Sequence, residues 1–142
     1  MYELIYCSVA TRLITLEDLT AILKTSRDFN AKNDITGMLV YYGKTREFVQ
    51  WLEGDKKAVL ALYNDRLLKD KRHSSLEILY EGPITQRHFK DWSMSFCQLD
   101  NFNPTEIKEF SAFAEKGFTN ELITDRPSKA KDLMLSLRDH AR

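Results

Sequence analysis

Long apolar runs are missing from this sequence, and none approaches the ~20 residues that a helix needs to cross a bilayer. The opening stretch MYELIYCSVA has no basic segment followed by an apolar one, so no secretory signal is expected. Cysteine is nearly absent too. Cys7 and Cys97 alone make neither a disulfide framework nor a metal cluster. Charge of one sign is not in excess: Lys+Arg and Asp+Glu are both 21, and the two signs are interspersed. A chain of zero net charge has no global field to hold a polyanion, which argues against nucleic acid as the main partner. Internal repeats and low-complexity tracts are not visible. These absences leave a soluble, cytoplasmic protein as the expectation.

What remains reads as an ordinary globular chain. Its 142 residues suffice for one domain with a core, and 43% hydrophobic against 30% charged residues is a usual balance. Tyr2 to Val9 alternates and is rich in aromatic and β-branched residues, so it predicts a strand. Thr15 caps a helix with Glu17 and Asp18 in its first turn, running to about Asn30. Ile35 to Tyr42 and Glu47 to Leu52 read as strands joined by a hairpin at Gly43 to Arg46. Gly54 ends the third strand, and Asp55 opens a second helix with Val59, Leu62, Tyr63 and Leu67 at helical spacing. Leu76 to Glu81 is a fourth strand, stopped by Gly82 and Pro83, and Trp92 to Leu99 a fifth. The order βαββαββ predicts an α+β, ferredoxin-like layout: a five-stranded mixed sheet with two helices on one face.

After Asn101 the pattern changes. Pro104, Thr105 and Glu106 start a helix with Ile107, Phe110 and Ala114 on one stripe. Pro127 starts another with Ala130, Leu133, Met134 and Leu137. Residues 1–100 are therefore read as the folded domain and 101–142 as a helical extension, expected to cover the bare sheet face or a second subunit.

The informative residues break the binary pattern. Steps of four from Ile22 on the first helix reach Ser26 and then Asn30, so polar groups end an apolar stripe. Phe48, Gln50 and Leu52 share one strand face by the period of two, with an amide between hydrophobes. Tyr6 sits similarly beside Leu4. Asp70 follows Tyr63 and Leu67 around the second helix, and Arg72 and His73 come directly after it. A buried amide without partners costs roughly 1–3 kcal/mol, so Gln50 and Asn30 need something to bond. Capping a helix end would serve Asn30, and edge positions would serve the others. A planar heteroaromatic ligand with alternating donors and acceptors would serve them all at once.

The chain resembles the BLUF domains, sensors of blue light that use flavin adenine dinucleotide. The resemblance is carried by LIYCS (4–8), TSRDFN (25–30), ITGMLVYY (35–42), FVQWLEG (48–54), DKRHSSLEIL (70–79) and ITQRHFKDWSMSF (84–96). It implies non-covalent FAD, with FMN or riboflavin tolerated. Tyr6 would be the electron donor and Gln50 the glutamine beside it. Asn30 would bond the pyrimidine edge, and Ile22, Ser26, Phe48, Asp70, Arg72 and His73 would surround the ring. Trp92 and Met94 match the output residues of the last strand; two residues apart, they are expected on one face. A phenol can lose an electron and then a proton. A primary amide has a donor end and an acceptor end of similar shape, so it can exchange bonds without changing volume. Light would then switch hydrogen bonds and red-shift the flavin reversibly.

Two departures stand out. Phe29 lies where many relatives carry a polar residue, which implies fewer contacts to that flavin edge. The Gly43–Glu47 hairpin is slightly longer than usual and is expected to project away from the site. No cysteinyl adduct is implied. The chain leaves no room for a fused enzyme, so output is expected through a separate protein or a homodimer or larger homo-oligomer, with the tail helices as candidates. Two other readings compete: an acylphosphatase-like hydrolase, with Arg12 as anion binder but no glycine-rich cradle, and a flavin-free interaction module.

Overall fold

Alternation of side chains along the strands sorts the chain into two cores, one on each face of a five-stranded sheet. This computed structural model describes residues 1–101 and 127–141. The elements are β1 (Tyr2–Ala10), α1 (Leu16–Lys32), β2 (Thr36–Tyr42), β3 (Glu47–Gly54), α2 (Lys56–Ala61), β4 (His73–Pro83), β5 (Ser95–Gln98) and α3 (Pro127–Ala141). Across the sheet the order is β4-β1-β3-β2-β5. The β1–β3, β1–β4 and β2–β3 pairs are antiparallel, and β2–β5 is parallel. This is the ferredoxin-like arrangement that the element order predicts.

Helix α1 starts where its caps dictate. Thr15 Oγ1 accepts from the Asp18 amide at 3.1 Å, and Asp18 Oδ2 accepts from the Thr15 amide at 3.0 Å. This reciprocal capping box satisfies two backbone donors. The helix ends at Lys32 and is capped by Asn33, not Asn30. Leu19 of α1 and Val59 of α2 are buried against Leu4, Tyr6, Leu39, Phe48 and Leu52 on one sheet face. Gly37 fixes how closely β2 and β3 approach, because a Cβ there would lie 1.9 Å from the Trp51 carbonyl oxygen.

The opposite face buries Ile5, Cys7, Met38, Val40, Val49 and Trp51 under Leu133, Met134 and Leu137 of α3. Lys131 reaches in from α3 to pair with the buried Glu3 at 2.6 Å, and lies over the rings of Tyr80 (4.6 Å) and Trp51 (5.3 Å). The tail helix starting at Pro127 thus covers the sheet. The expected helix carrying Ile107, Phe110 and Ala114 lies outside the described residues.

Three predicted boundaries need correction. The second helix is α-helical only to Ala61 and continues as a π-helical turn over Leu62–Leu67. There the Leu68 amide donates to Tyr63 five residues back. The fourth strand starts at His73 instead of Leu76; a register shift between Cys7 and Val9, with Ser75 at φ 56, breaks the alternation that marks a strand. The fifth is shorter than Trp92–Leu99 and spans Ser95–Gln98, which leaves Trp92 and Met94 in the segment leading into it.

Candidate functional site

A cavity of about 310 Å3 opens between α1 and the π segment, with sheet residues Tyr6, Leu39, Phe48 and Gln50 as its floor. That volume lies at the lower end of ordinary small-molecule sites. One wall is Ile22, Thr25, Ser26, Phe29 and Asn30 of α1. The other is Leu62, Arg66, Leu67, Lys69, Asp70, Arg72 and His73. Tyr6, Ile22, Ser26, Asn30, Phe48, Gln50, Asp70, Arg72 and His73, singled out in the sequence, therefore all line one cavity. The π turn contributes to this, since one extra residue per turn changes which side chains face inward, and such turns recur at functional sites.

At the floor the Tyr6 hydroxyl donates to Gln50 Oε1. The amide's other end, Nε2, faces Met94 Sδ at 3.6 Å. Tyr6 and Gln50 are 2% and 3% exposed, so both lie at the base of the cavity and away from the open surface. Burial, with Tyr63 and Asp70 nearby, pushes the Tyr6 phenol well above its ordinary range. It is therefore a neutral hydrogen-bond donor at any physiological pH. Tyr63 packs edge-on against it at 5.4 Å, and His73 at 6.2 Å.

The polar wall is largely self-satisfied. His73 Nε2 faces the Leu67 carbonyl at 2.8 Å, and a carbonyl only accepts, so that nitrogen carries a proton. In the neutral ring Nδ1 then accepts from Ser8 Oγ at 2.8 Å. Burial pushes the Asp70 carboxyl up, but hydrogen bonds from Arg72 more than offset this and hold it below its ordinary value. The closest of these contacts is 2.6 Å. Asn30 is buried and donates from Nδ2 to the Ser93 carbonyl at 2.8 Å, while Arg27 Nε reaches the Met94 carbonyl at 3.0 Å. Helix α1 thus grips the segment that carries Met94.

Trp92 and Met94 do not share a face. Met94 is buried with the helix-side core, whereas Trp92 packs against the core beneath α3, with its ring 6.0 Å from that of Phe89. The period of two fails because the strand starts only at Ser95. Sequence reasoning passed over Thr25, Leu39, Leu62, Arg66, Leu67 and Lys69 as lining residues. Leu39 was legible by alternation; Arg66 and Lys69 carry no mark in the sequence that sets them apart from other charged residues. Phe29 was noted only as a departure. Arg12, the anion binder of the hydrolase reading, is paired with Asp18 at 2.9 Å and does not line the cavity. No group of three metal-ligating side chains occurs among the described residues, where no helix is long and apolar enough to cross a membrane.

Fold and comparisons together define a photosensory domain. The profile of the BLUF family, sensors of blue-light using FAD, matches residues 1–95, and the chain belongs to that family. Photoactivated adenylate cyclase subunit beta of Euglena gracilis is 38% identical over 121 residues, which are 82% of this chain but 14% of that protein. This chain therefore spans a small fraction of the curated relatives it matches. The photoactivated state of BlsA superposes with a TM-score of 0.75 at 30% identity, covering 94% of this chain and 91% of that one. The dark state of BlrB, a BLUF protein, gives 0.69 at 30% identity, covering 99% and 94%.

Proposed function

We propose that the chain is a blue-light receptor whose cavity holds FAD non-covalently, and that Tyr6 and Gln50 form its light-driven relay. The observation that carries this reading is the buried Tyr6–Gln50 hydrogen bond at the cavity floor, with Met94 at the amide's far end. The residues fit a flavin ring. Ile22, Leu39 and Phe48 give apolar walls, the amides of Gln50 and Asn30 keep one polar end each beyond their bonds to Tyr6 and Ser93, and Lys69 brings positive charge to the rim. FMN and riboflavin share the ring and would enter the same way.

When bound, the flavin supplies an oxidant that exists only under blue light. Tyr6 would supply one electron to the excited ring. Its phenolic proton would pass along the existing hydrogen bond to Gln50 Oε1 as Nε2 gives up one of its own to the reduced ring. The return of the electron and a proton would restore the phenol and leave only the amide's bonding changed. Burial matters twice here. It keeps the phenol protonated until the electron leaves, and it prevents water from taking the proton. Gln50 can then turn its amide or change tautomer, since its two ends are similar in shape. Either change alters what Nε2 offers to Met94. Output passes through that residue to a separate effector, and self-association through the tail is part of the same proposal.

Purified protein should be yellow, and blue light should red-shift its absorption reversibly. Gln50→Leu should keep the flavin and lose the shift, and Tyr6→Phe should block the normal photocycle. An unchanged shift in Gln50→Leu would remove Gln50 from the mechanism.

A further inference from the structure

Phe29 and Arg66 line the cavity from opposite walls, one on α1 and the other on the π segment. The Arg66 guanidinium carbon lies 4.3 Å from the centroid of the Phe29 ring. Phe29 is half-buried and Arg66 is exposed, so the contact sits at the solvent edge of the cavity. Among the described residues no carboxylate lies within ion-pair distance of Arg66. Its neighbour Arg72, by contrast, is locked to Asp70. A planar guanidinium stacks well on an aromatic face, and without a carboxylate to fix its direction it can slide on and off.

We infer that Phe29 and Arg66 form a clasp across the cavity mouth that sets how long a flat heteroaromatic ligand stays bound. The inference rests on the flavin reading above and assigns to Phe29 a use that its loss of polarity conceals. A ligand leaves when the two walls part at the mouth, and parting them breaks this contact first. An exposed cation–π contact corresponds to a factor of about two to five in an equilibrium or rate. The clasp is therefore strong enough to slow release and weak enough to permit loading. It acts on the walls, not on any phosphate, so it should treat riboflavin, FMN and FAD alike.

The test is the release rate of each of these three flavins from the full chain in the dark, followed by flavin fluorescence after dilution. Arg66→Met and Phe29→Leu should each speed release about two- to fivefold, and the double variant should be no faster than the faster single. Phe29→Trp, which strengthens the stacking face, should release no faster than the parent. Arg66 is exposed, so Arg66→Met leaves the core intact and isolates the contact. Unchanged rates, or effects that multiply in the double variant, overturn the clasp. So does an effect confined to FMN and FAD, because that pattern assigns Arg66 to phosphate. A parent chain that binds none of the three flavins overturns the flavin reading itself, and the clasp with it.

Discussion

Replacing Gln50 by Leu removes the acceptor of the Tyr6 phenol while keeping the side chain's length and bulk similar. Both residues are almost fully buried, so solvent reaches the orphaned hydroxyl only through the cavity. A buried donor without a partner costs about 1–3 kcal/mol, and the added apolar contact of leucine recovers part of it, for an expected net loss of ~1–2 kcal/mol. The lost Nε2 contact to Met94 adds little, because thioether sulfur is a weak acceptor. Tyr6→Phe orphans the opposite partner, Gln50 Oε1, and should cost a similar amount. In the double variant neither orphan remains, so the losses should not add: a coupling of ~1–2 kcal/mol is expected. Urea unfolding of flavin-depleted protein in the dark measures this without the stabilisation that a bound ligand contributes. Thermal midpoints would move by roughly 3–5 °C per kcal/mol for a chain of this size. Two single losses that sum in the double variant to within about 0.5 kcal/mol would refute the buried bond as an energetic unit.

Asn30→Ala should lower the flavin-to-protein absorbance ratio and also loosen residues 93–94, seen as faster amide exchange at Met94, since Asn30 bonds the Ser93 carbonyl. Equal flavin content in both proteins would leave Asn30 with the second role alone. Lys131→Met strands the Glu3 carboxylate beneath α3, and the loss should fall at or below the low end of the ~3–5 kcal/mol typical of a broken buried pair, because Lys131 is partly exposed. Adding Glu3→Gln should recover most of it, as urea midpoints will show. At alkaline pH, the buried Cys7 and Cys97 thiols are pushed up to about 12. Unfolded thiols ionise from about pH 9, so above that the unfolded chain sheds protons that the native chain keeps, and stability should fall as pH rises toward 12. Cys97→Ala should flatten part of that decline between about pH 9 and 11; an identical slope would place the alkaline sensitivity elsewhere.

Much of the molecule was legible in its sequence because burial and alternation leave direct marks. Thr15 and Asp18 announce their capping box, and the period of two puts Tyr6 and Gln50 on the helix side, opposite each other in the β1–β3 register. What escaped did so for local physical reasons. A π turn has no compositional signature, so nothing in the sequence singled out Arg66, which lines the cavity from that turn. The bulge at Ser75 hides the first residues of β4 from any test of alternation. Trp92 and Met94 looked like same-face strand neighbours because Trp92-Ser93-Met94 is a plausible strand start. Yet the ladder with β2 pairs only from Met38 and Ser95, and hydrogen bonds from α1 hold the preceding segment.

That correction changes how a signal could leave the site. Gln50 and Trp51 are consecutive on β3 and point to opposite faces, one toward the cavity and the other beneath Lys131 of α3. Met94 and Trp92 repeat the division one segment away, with Met94 at the amide of Gln50 and Trp92 against the core under α3. The two faces are thus joined at two places, and only one can yield. β3 is paired on both sides along its length, so moving it would break ladder bonds with β1 and β2 together. Residues 92–94 are held by individual bonds: Gly37 to the Trp92 carbonyl, Asn30 to Ser93 and Arg27 to Met94. On the proposed relay, a change in what Gln50 offers Met94 would be taken up by that segment, and the Trp92 ring would be the group it moves on the far face.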